Sequence, residues 1–142
     1  MNIGIISAKL NSVDGVSIEA AKWQKIFEAW GHRVFLCAGA IQTTPTPHYI
    51  IPELDYQDAE IHRLAHRMQA DDHFSLGKYA ALRRLAAHIH DGMHHFINAN
   101  DIHLLDVENL LSLPLNLPAA LALVDHTTTH PLPTIARHHD FY

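Results

Sequence analysis

Short apolar segments alternate along the chain with longer segments whose apolar residues recur at helical spacing. Residues 2–6 are rich in β-branched side chains and are followed by a small residue, which predicts a buried strand. Residues 33–39 predict a second strand. The segment between them predicts a helix with Ser17 as its N-cap and Gly31 as its C-cap. The apolar residues of this helix are Ile18, Ala21, Trp23, Ile26, Phe27 and Trp30. Strand, helix and strand together form a βαβ unit, which requires parallel strands.

The rest of the chain continues this alternation after an excursion. Residues 40–57 are rich in Thr and Pro and predict irregular structure with one short strand at Tyr49–Ile51. A later helix contains Pro114 and Pro118, which must lie near its start, so it should begin near Ser112. The chain after the excursion predicts five elements. They are helices at residues 58–68 and 76–99, a strand at 103–109, the helix with the two prolines at 110–126, and a last, buried-looking strand at 133–137.

This order of elements predicts a Rossmann-like, doubly wound α/β fold with a mainly parallel sheet. With 142 residues, of which 48% are hydrophobic, the chain has the size of one ordinary core, so we expect a single domain over residues 1–142. In such sheets, ligands bind outside the carboxyl ends of the strands. We therefore expect a ligand-binding site at the carboxyl edge of this sheet.

Composition excludes several classes of protein. The net charge of -5, with few and scattered Lys and Arg, argues against nucleic-acid binding. The single cysteine, Cys37, lies in an apolar strand and is expected in the core, which excludes a disulfide framework and favours a reducing compartment. The first residues do not form a signal peptide, and no apolar run reaches membrane-spanning length. We expect a cytoplasmic protein without a cofactor.

Fourteen histidines are the unusual feature of the composition. Histidine is a common metal ligand, and His62 and His66 are spaced to chelate from one face of a helix. However, the sequence contains neither the cysteine sets of structural zinc sites nor an H-E-x-x-H motif. We therefore expect no metal site and place most histidines on the solvated surface.

We expect two groups of polar residues at the carboxyl edge of the sheet. One comes from the loop after the first strand and the other from the turn after the penultimate strand. Asp14, Gly15 and Val16 precede the first helix, where glycine permits close backbone approach and free amides can receive a phosphate or carboxylate. The loop matches neither G-x-G-x-x-G nor a P-loop, so a capped turn without a ligand is the alternative. Glu108 and Asn109 follow a nearly apolar strand, where they either bind substrate hydroxyls or cap the next helix.

The densest polar cluster lies at the end of the chain. His138, His139 and Asp140 directly follow the last predicted strand. An imidazole facing the cleft can hydrogen-bond a substrate hydroxyl or act as an acid or base near neutral pH. A purely structural role for these histidines is the alternative.

The residues in order resemble a known family. The opening, with its strand, glycine-bearing loop, helix and "GHRVFLCAG", resembles that of retaining GT-B glycosyltransferases of the glycogen-synthase-like, nucleotide-sugar-dependent superfamily. The segments "LLDVENLLSLPLNLPAALAL" and "PTIARHHDFY" are similar to later strands of that family, including a His-Asp step after a strand. The resemblance covers nearly the whole chain.

The resemblance implies two Rossmann-like domains, of which the first mainly binds the acceptor and the second the nucleotide-sugar donor. It implies that Gly15 and its neighbours approach the phosphate or sugar of the donor and that His139 contacts the transferred sugar, with Glu108 and Asn109 as weaker candidates for acceptor contacts. The family's E-x7-E donor motif is missing, because Glu53 and Glu60 are one residue too close and lie in the wrong region. We therefore expect a shortened form that lacks the donor domain and is inactive alone.

Two alternatives remain open. The first is a non-enzymatic module that self-associates through an exposed sheet edge or binds metal through His88, His90, His94 or His95. The second is a small flavodoxin-like protein, which would bind a nucleotide tightly without a second domain.

Overall fold

The computed structural model describes residues 1–70, 73, 75–112 and 114–139. The described residues contain five strands: β1 (Asn2–Leu10), β2 (Arg33–Ile41), β3 (His48–Ile50), β4 (Leu104–Glu108) and β5 (Thr134–Arg137). The helices are α1 (Gly15–Ala29), α2 (Ala59–Gln69), α3 (Leu76–Ala99) and α4 (Leu117–Thr129), with a 3₁₀ turn at Pro52–Leu54. The strands form one sheet in the order β3-β2-β1-β4-β5, and all neighbouring pairs are parallel. The predicted Rossmann-like α/β fold is confirmed.

Helices cover both faces of the sheet. Alternate strand residues point to opposite sides, so each face carries its own set of apolar side chains. On one face, Ile3 and Ile5 of β1 and Leu36 of β2 pack with Phe27 of α1. On the other face, the strands pack against α2, α3 and α4 in a larger core, whose buried residues include Leu105, Val107, Leu64, Ile89, Met93, Phe96 and Leu123. Strands buried in this way on both faces explain the continuous apolar runs in the sequence.

The start of α1 differs from the prediction. Asp14, not Ser17, is the N-cap: its Oδ1 accepts a hydrogen bond of 2.9 Å from the backbone amide of Ser17. Ser17 lies inside the first turn, where its hydroxyl donates to Asp14 Oδ2 at 2.9 Å. At the other end Trp30 is the C-cap, and Gly31, with φ of 80°, occupies the left-handed position that follows it. Of the apolar residues predicted for this helix, Ile18 and Trp30 are exposed.

Helix α4 begins later than predicted. It starts at Leu117 rather than near Ser112, with Pro118 in its first turn. The reason is the side chain of Asn116, whose Oδ1 caps the amide of Ala119 at 3.1 Å. Its Nδ2 donates to the carbonyls of Glu53 and Leu54 at 2.7 and 3.0 Å, so Asn116 also joins α4 to the 3₁₀ turn. The possibility that Glu108 or Asn109 caps this helix is therefore excluded.

The last strand is an edge strand, and the expectation that it is buried is wrong. β5 pairs with β4 alone among the described strands, and Thr134, Ile135 and Ala136 are exposed. The apolar residues of β5 predicted burial, but this short strand has a neighbouring strand on one side only. Self-association through this edge stays a prediction.

Gly39 near the end of β2 is required by packing. A Cβ atom there would lie within 2.7 Å of Asp55 Cα and closer still to the Asp55 amide nitrogen. Because backbone atoms cannot move aside as a flexible side chain does, we expect Gly39→Ala to destabilise the fold by about 1–3 kcal/mol, measured by urea unfolding. The control is Gly15→Ala, whose Cβ would meet nothing within 4 Å. Equal stabilities of the two variants would contradict this account.

Two expectations drawn from composition can be compared with the structure. Cys37 lies fully buried in β2, as predicted, and its burial raises the pKa of the thiol. Within the described part of the chain, no helix has both the length and the apolar character needed to cross a membrane. The cytoplasmic location stays a prediction.

Candidate functional site

A cavity of about 450 Å³ opens at the carboxyl edge of the sheet. Segments from the end of β1, the start of α1, the turn after β4, the loop before α4 and the residues after β5 line it. This volume is in the usual range for a small-molecule site. Six of the residues predicted from the sequence line this cavity: Asp14, Gly15, Val16, Glu108, Asn109 and His139.

The structure does not place the other two predicted residues, His138 and Asp140, at this cavity. His138 is exposed and is not among the residues that line the cavity. Asp140 lies outside the described residues. Of the terminal cluster, His139 is thus the residue that the fold brings to the site, and the roles assigned to all eight residues stay predictions.

A buried ionic cluster lies beneath one wall of the cavity. The side chains of Asp106 and Glu108 are fully buried on the same face of β4. Arg137 of β5 lies between them, with its Nε atom 2.8 Å from Asp106 Oδ1 and 3.3 Å from Glu108 Oε1. The guanidinium group also stacks on Trp23 of α1, 3.7 Å from the ring centroid. One arginine thus serves two buried carboxylates.

His139 is held at two points. Its Nε2 atom lies 2.9 Å from Glu108 Oε2, and its backbone amide donates to Asn109 Oδ1 at 3.1 Å. Asn109 has a φ of 57°, a left-handed conformation that asparagine tolerates better than most residues. In that conformation its own amide donates to the carbonyl of Arg137 at 2.9 Å. The turn after β4 therefore fixes the position of the residues that follow β5.

Burial raises the pKa of the Glu108 carboxyl group, and the nearby charge of Asp106 raises it further. The hydrogen bond from His139 and the charge of Arg137 oppose this shift without cancelling it. Burial likewise raises the pKa of Asp106 against the effect of Arg137. The pair formed by His139 and Glu108 is thus an imidazole and a carboxyl group that share a hydrogen bond at the cavity wall, an arrangement suited to holding or transferring a proton.

The start of α1 also lines the cavity. The first intrahelical hydrogen bond of α1 runs from the Ile18 amide to the Asp14 carbonyl. The amides of Gly15 and Val16 come before the first residue that donates such a bond within the helix. The carboxylate of Asp14 is engaged in capping: burial disfavours its charge, but the hydrogen bonds from Ser17 outweigh that effect and lower its pKa. Asp14 therefore remains ionised beside these amides.

Lys9 brings a positive charge to the cavity. Its Nζ atom donates to Gln57 Oε1 at 2.6 Å, lies 3.7 Å from Asp55 Oδ2, and sits 5.1 Å from the centroid of the Tyr56 ring. Both Lys9 and Tyr56 line the cavity. The cavity that would receive a carboxylate or phosphate thus contains this ammonium group as well as the start of α1.

Three residues of the site, Asp106, Arg137 and Lys9, were not predicted from the sequence. A signal for the first was present: Asp106 and Glu108 are two residues apart in an otherwise apolar strand, which places both carboxylates on one face. Two buried carboxylates require a cation, and Arg137 at the end of the next predicted strand was the available one. Lys9 was assigned to a loop, because β1 was expected to end at residue 6, whereas it extends to Leu10.

Fold and cavity together define a Rossmann-like α/β fold with a cleft at the carboxyl edge of its sheet, lined by both polar and apolar residues. Over its whole length, the chain is 27% identical to mannosylglucosylglycerate synthase from Petrotoga mobilis (strain DSM 10674 / SJ95), across 143 aligned residues. The chain covers 32% of that protein, so it spans about a third of the length of this curated relative. No protein-family model matches the chain, and no solved structure matches it. The chain is therefore similar to a glycosyltransferase, at the level of distant homology.

Proposed function

We propose that this chain forms the acceptor-side domain of a retaining glycosyltransferase with the GT-B arrangement, which transfers a sugar from a nucleotide-sugar donor. The observation that carries the proposal is the meeting of His139, Glu108 and the start of α1 at one cavity on the carboxyl edge of the sheet. The similarity to mannosylglucosylglycerate synthase over the whole chain supports the same class. In this proposal a second domain binds the nucleotide, and this chain alone does not transfer sugar.

His139 is the proposed contact to the transferred sugar. With Nε2 donating to Glu108, the neutral imidazole keeps a lone pair on Nδ1 that can accept a hydrogen bond from a sugar hydroxyl. Glu108 fixes the ring and stabilises a positive charge on it, so its role is to position His139. In retaining transfer, the sugar develops positive charge as the diphosphate leaves, and catalysis rests on positioning and electrostatic stabilisation.

We propose a hydroxylated sugar acid as the acceptor. The name of the relative denotes a product that contains mannosyl, glucosyl and glycerate units, of which glycerate carries a carboxylate. In this chain, Lys9 and the amides of Gly15 and Val16 supply a cation and hydrogen-bond donors at the cavity. His139 and Asn109, which line the same cavity, are suited to hydroxyl groups. A donor phosphate is the other anion that the start of α1 can approach.

Binding of glucosylglycerate to this chain, followed by NMR, tests the proposal. We expect saturable shifts of the amides of Gly15 and His139, and His139→Ala should weaken binding by about 10-fold, the value of about one lost hydrogen bond. The matched control is His138→Ala, which removes the neighbouring exposed imidazole. Equal effects of the two variants, or no binding of the sugar acid, would refute the acceptor role. Tight binding of a nucleotide to the isolated chain would favour the flavodoxin-like alternative instead.

Gly15 provides an independent prediction. Because its Cβ position is open, Gly15→Ala should leave the free energy of unfolding unchanged or raise it by up to about 1 kcal/mol. If a ligand approaches the backbone there, the same variant should weaken ligand binding several-fold despite its intact fold. Titration of glucosylglycerate and of a nucleotide-sugar, paired with urea unfolding, measures both effects. Unchanged affinity for both ligands would show that this glycine serves the turn alone.

A further inference from the structure

Four imidazoles meet where α3 packs against α4. His90 and His94 lie one turn apart on α3, while His126 lies on α4 and His130 is the C-cap of that helix. The ring centroids of His90 and His126 are 5.5 Å apart, those of His126 and His130 are 5.2 Å apart, and those of His94 and His130 are 4.9 Å apart. Such a concentration of one side chain calls for a physical explanation.

Three of these residues have the geometry of a metal site. One ring nitrogen from each of His90, His126 and His130 can be chosen so that all three lie within 4.8 Å of one another. Imidazole nitrogens bind zinc at about 2.0–2.1 Å in tetrahedral geometry, so bound ligand atoms lie roughly 3–3.5 Å apart. Small side-chain rotations would close the difference. His130 is exposed and His90 is half-buried, which leaves the ion a route from solvent.

His126 provides a second, independent observation. Its side chain is 1% exposed, and neither Nδ1 nor Nε2 has a hydrogen-bond partner among the described residues. A buried polar group without a hydrogen-bond partner is unfavourable, and native structures rarely keep one. A metal ion bound to one of its nitrogens would satisfy the ring.

The Thr129 side chain favours a ligand-competent tautomer of His130. Its hydroxyl donates to the Asp125 carbonyl at 2.7 Å and lies 2.8 Å from His130 Nδ1, so the Thr129 oxygen can accept a hydrogen bond from Nδ1–H. This leaves Nε2 of His130 with the lone pair. An outer contact of this kind is typical of metal-binding histidines. The Asp91 carboxylate lies 3.6 Å from His90 Nδ1, a charge contact that is longer than a hydrogen bond.

We propose that His90, His126 and His130 bind one divalent transition-metal ion, with zinc as the principal candidate. Three nitrogen ligands favour Zn²⁺, Ni²⁺, Cu²⁺ or Co²⁺ over Mg²⁺ and Ca²⁺, which prefer oxygen. His94 lies beside the site, with its Nε2 atom 2.8 Å from the Asn98 amide. Because His126 and His130 lie at the end of α4 that leads into β5, the site lies toward the amino ends of the strands, whereas the cavity lies at their carboxyl ends. The ion joins α3 to α4 and stabilises the fold.

The structure brings together some of the histidines named from the sequence and not others. Of those named from the sequence, His90 and His94 belong to the cluster, whereas His88 pairs with Glu53 at 3.0 Å and His95 lies against Tyr49. His126 and His130 were not predicted, because nothing in the sequence places them next to residues of α3. His62 and His66 are exposed on α2 and are not part of the cluster.

Calorimetric titration of the chelator-stripped chain with Zn²⁺ alone tests the proposal. We expect saturation at one ion per chain and a melting temperature that rises with Zn²⁺. The double variant His90→Ala/His130→Ala should weaken binding by about 100-fold or more, since even outer-contact changes cost about 10–100-fold. The matched control, His62→Ala/His66→Ala, also removes two histidines spaced on helices and should retain full affinity. Equal affinities of the two double variants, or no saturable binding by the native chain, would overturn the proposal.

A second probe covers the case in which the double variant does not fold. Co²⁺ bound by nitrogen ligands in a tetrahedral site gives intense visible absorption, which octahedral Co²⁺ in water does not. We expect this absorption from the native chain and its loss in His130→Ala, a change at an exposed helix end. A folded His130→Ala variant with an unchanged Co²⁺ spectrum would also overturn the proposal.

Discussion

Replacing Arg137 with alanine is expected to destabilise the domain by about 3–5 kcal/mol, the usual cost of removing one partner from a buried ion pair. Asp106 and Glu108 are both fully buried, and Arg137 is within hydrogen-bonding or ion-pair distance of both. Without the guanidinium group, two carboxylates would face each other in the protein interior, and the stacking on Trp23 would also be lost. Urea unfolding at neutral pH measures the effect.

The pH dependence of this variant identifies the cause. The pKa values of both carboxyl groups are already raised by burial, and the loss of Arg137 should raise them further. A raised pKa means that the folded state takes up protons more readily than the unfolded chain, so the penalty is present at neutral pH and shrinks as the pH falls through the folded pKa values. Adding Asp106→Asn and Glu108→Gln should recover part of the stability at neutral pH. A penalty that is the same at pH 5 and pH 7.5 would show lost packing rather than unpaired charge.

The second large effect is expected from His126 in the metal-free protein. Burial lowers the pKa of this imidazole to about 4, and the charges of His130, His90 and His94 act in the same direction. A lowered pKa means that the folded state binds the proton less well than the unfolded chain, whose pKa is near 6.5. The resulting stability is fully present above pH 6.5 and is lost as the pH falls toward 4. Since one pKa unit corresponds to about 1.4 kcal/mol, this single group should remove about 3 kcal/mol over that interval.

Comparison with His126→Leu isolates this term from the other titrating groups. The variant replaces the imidazole with an apolar side chain of similar size, so its free energy of unfolding should fall less than that of the native protein between pH 7.5 and pH 4.5. Unfolding is followed in urea with a chelator present at each pH. His62→Leu, at an exposed position on α2, is the control and should follow the native curve. Parallel curves for all three proteins would contradict the assignment to His126.

The sequence was sufficient for the architecture, because hydrophobic periodicity depends on local spacing. It predicted a parallel sheet, and the range 76–99 coincides with α3. Helix starts were less accurate, since several residues can cap. Asp14 and Ser17 are both suitable for the role, and Asn116 is fixed by carbonyls of Glu53 and Leu54, which are far away in sequence. Such choices depend on tertiary contacts.

The site was predictable to the extent that it depends on topology. Parallel strands bring their carboxyl ends to one edge, which was enough to place Gly15, Glu108 and His139 at the same cavity. The sequence indicated that the two acidic residues of β4 need a cation, but the geometry of the ion pairs depends on the register that places Arg137 opposite Glu108 across β4 and β5. The histidine cluster depends on how α3 crosses α4, and no local pattern specifies that crossing.

The central position of β1 affects how the protein emerges during synthesis. One flank of β1 can pair with β2 almost at once, but the other flank waits for β4: Ser7 pairs with Glu108, which is 101 residues further along the chain. Until the ribosome has delivered β4, a nascent chain therefore carries an apolar strand with an open hydrogen-bonding side. Such an edge invites pairing between neighbouring chains. The risk of such pairing should accordingly be greatest before β4 is synthesised and should fall once β4 covers this side of β1.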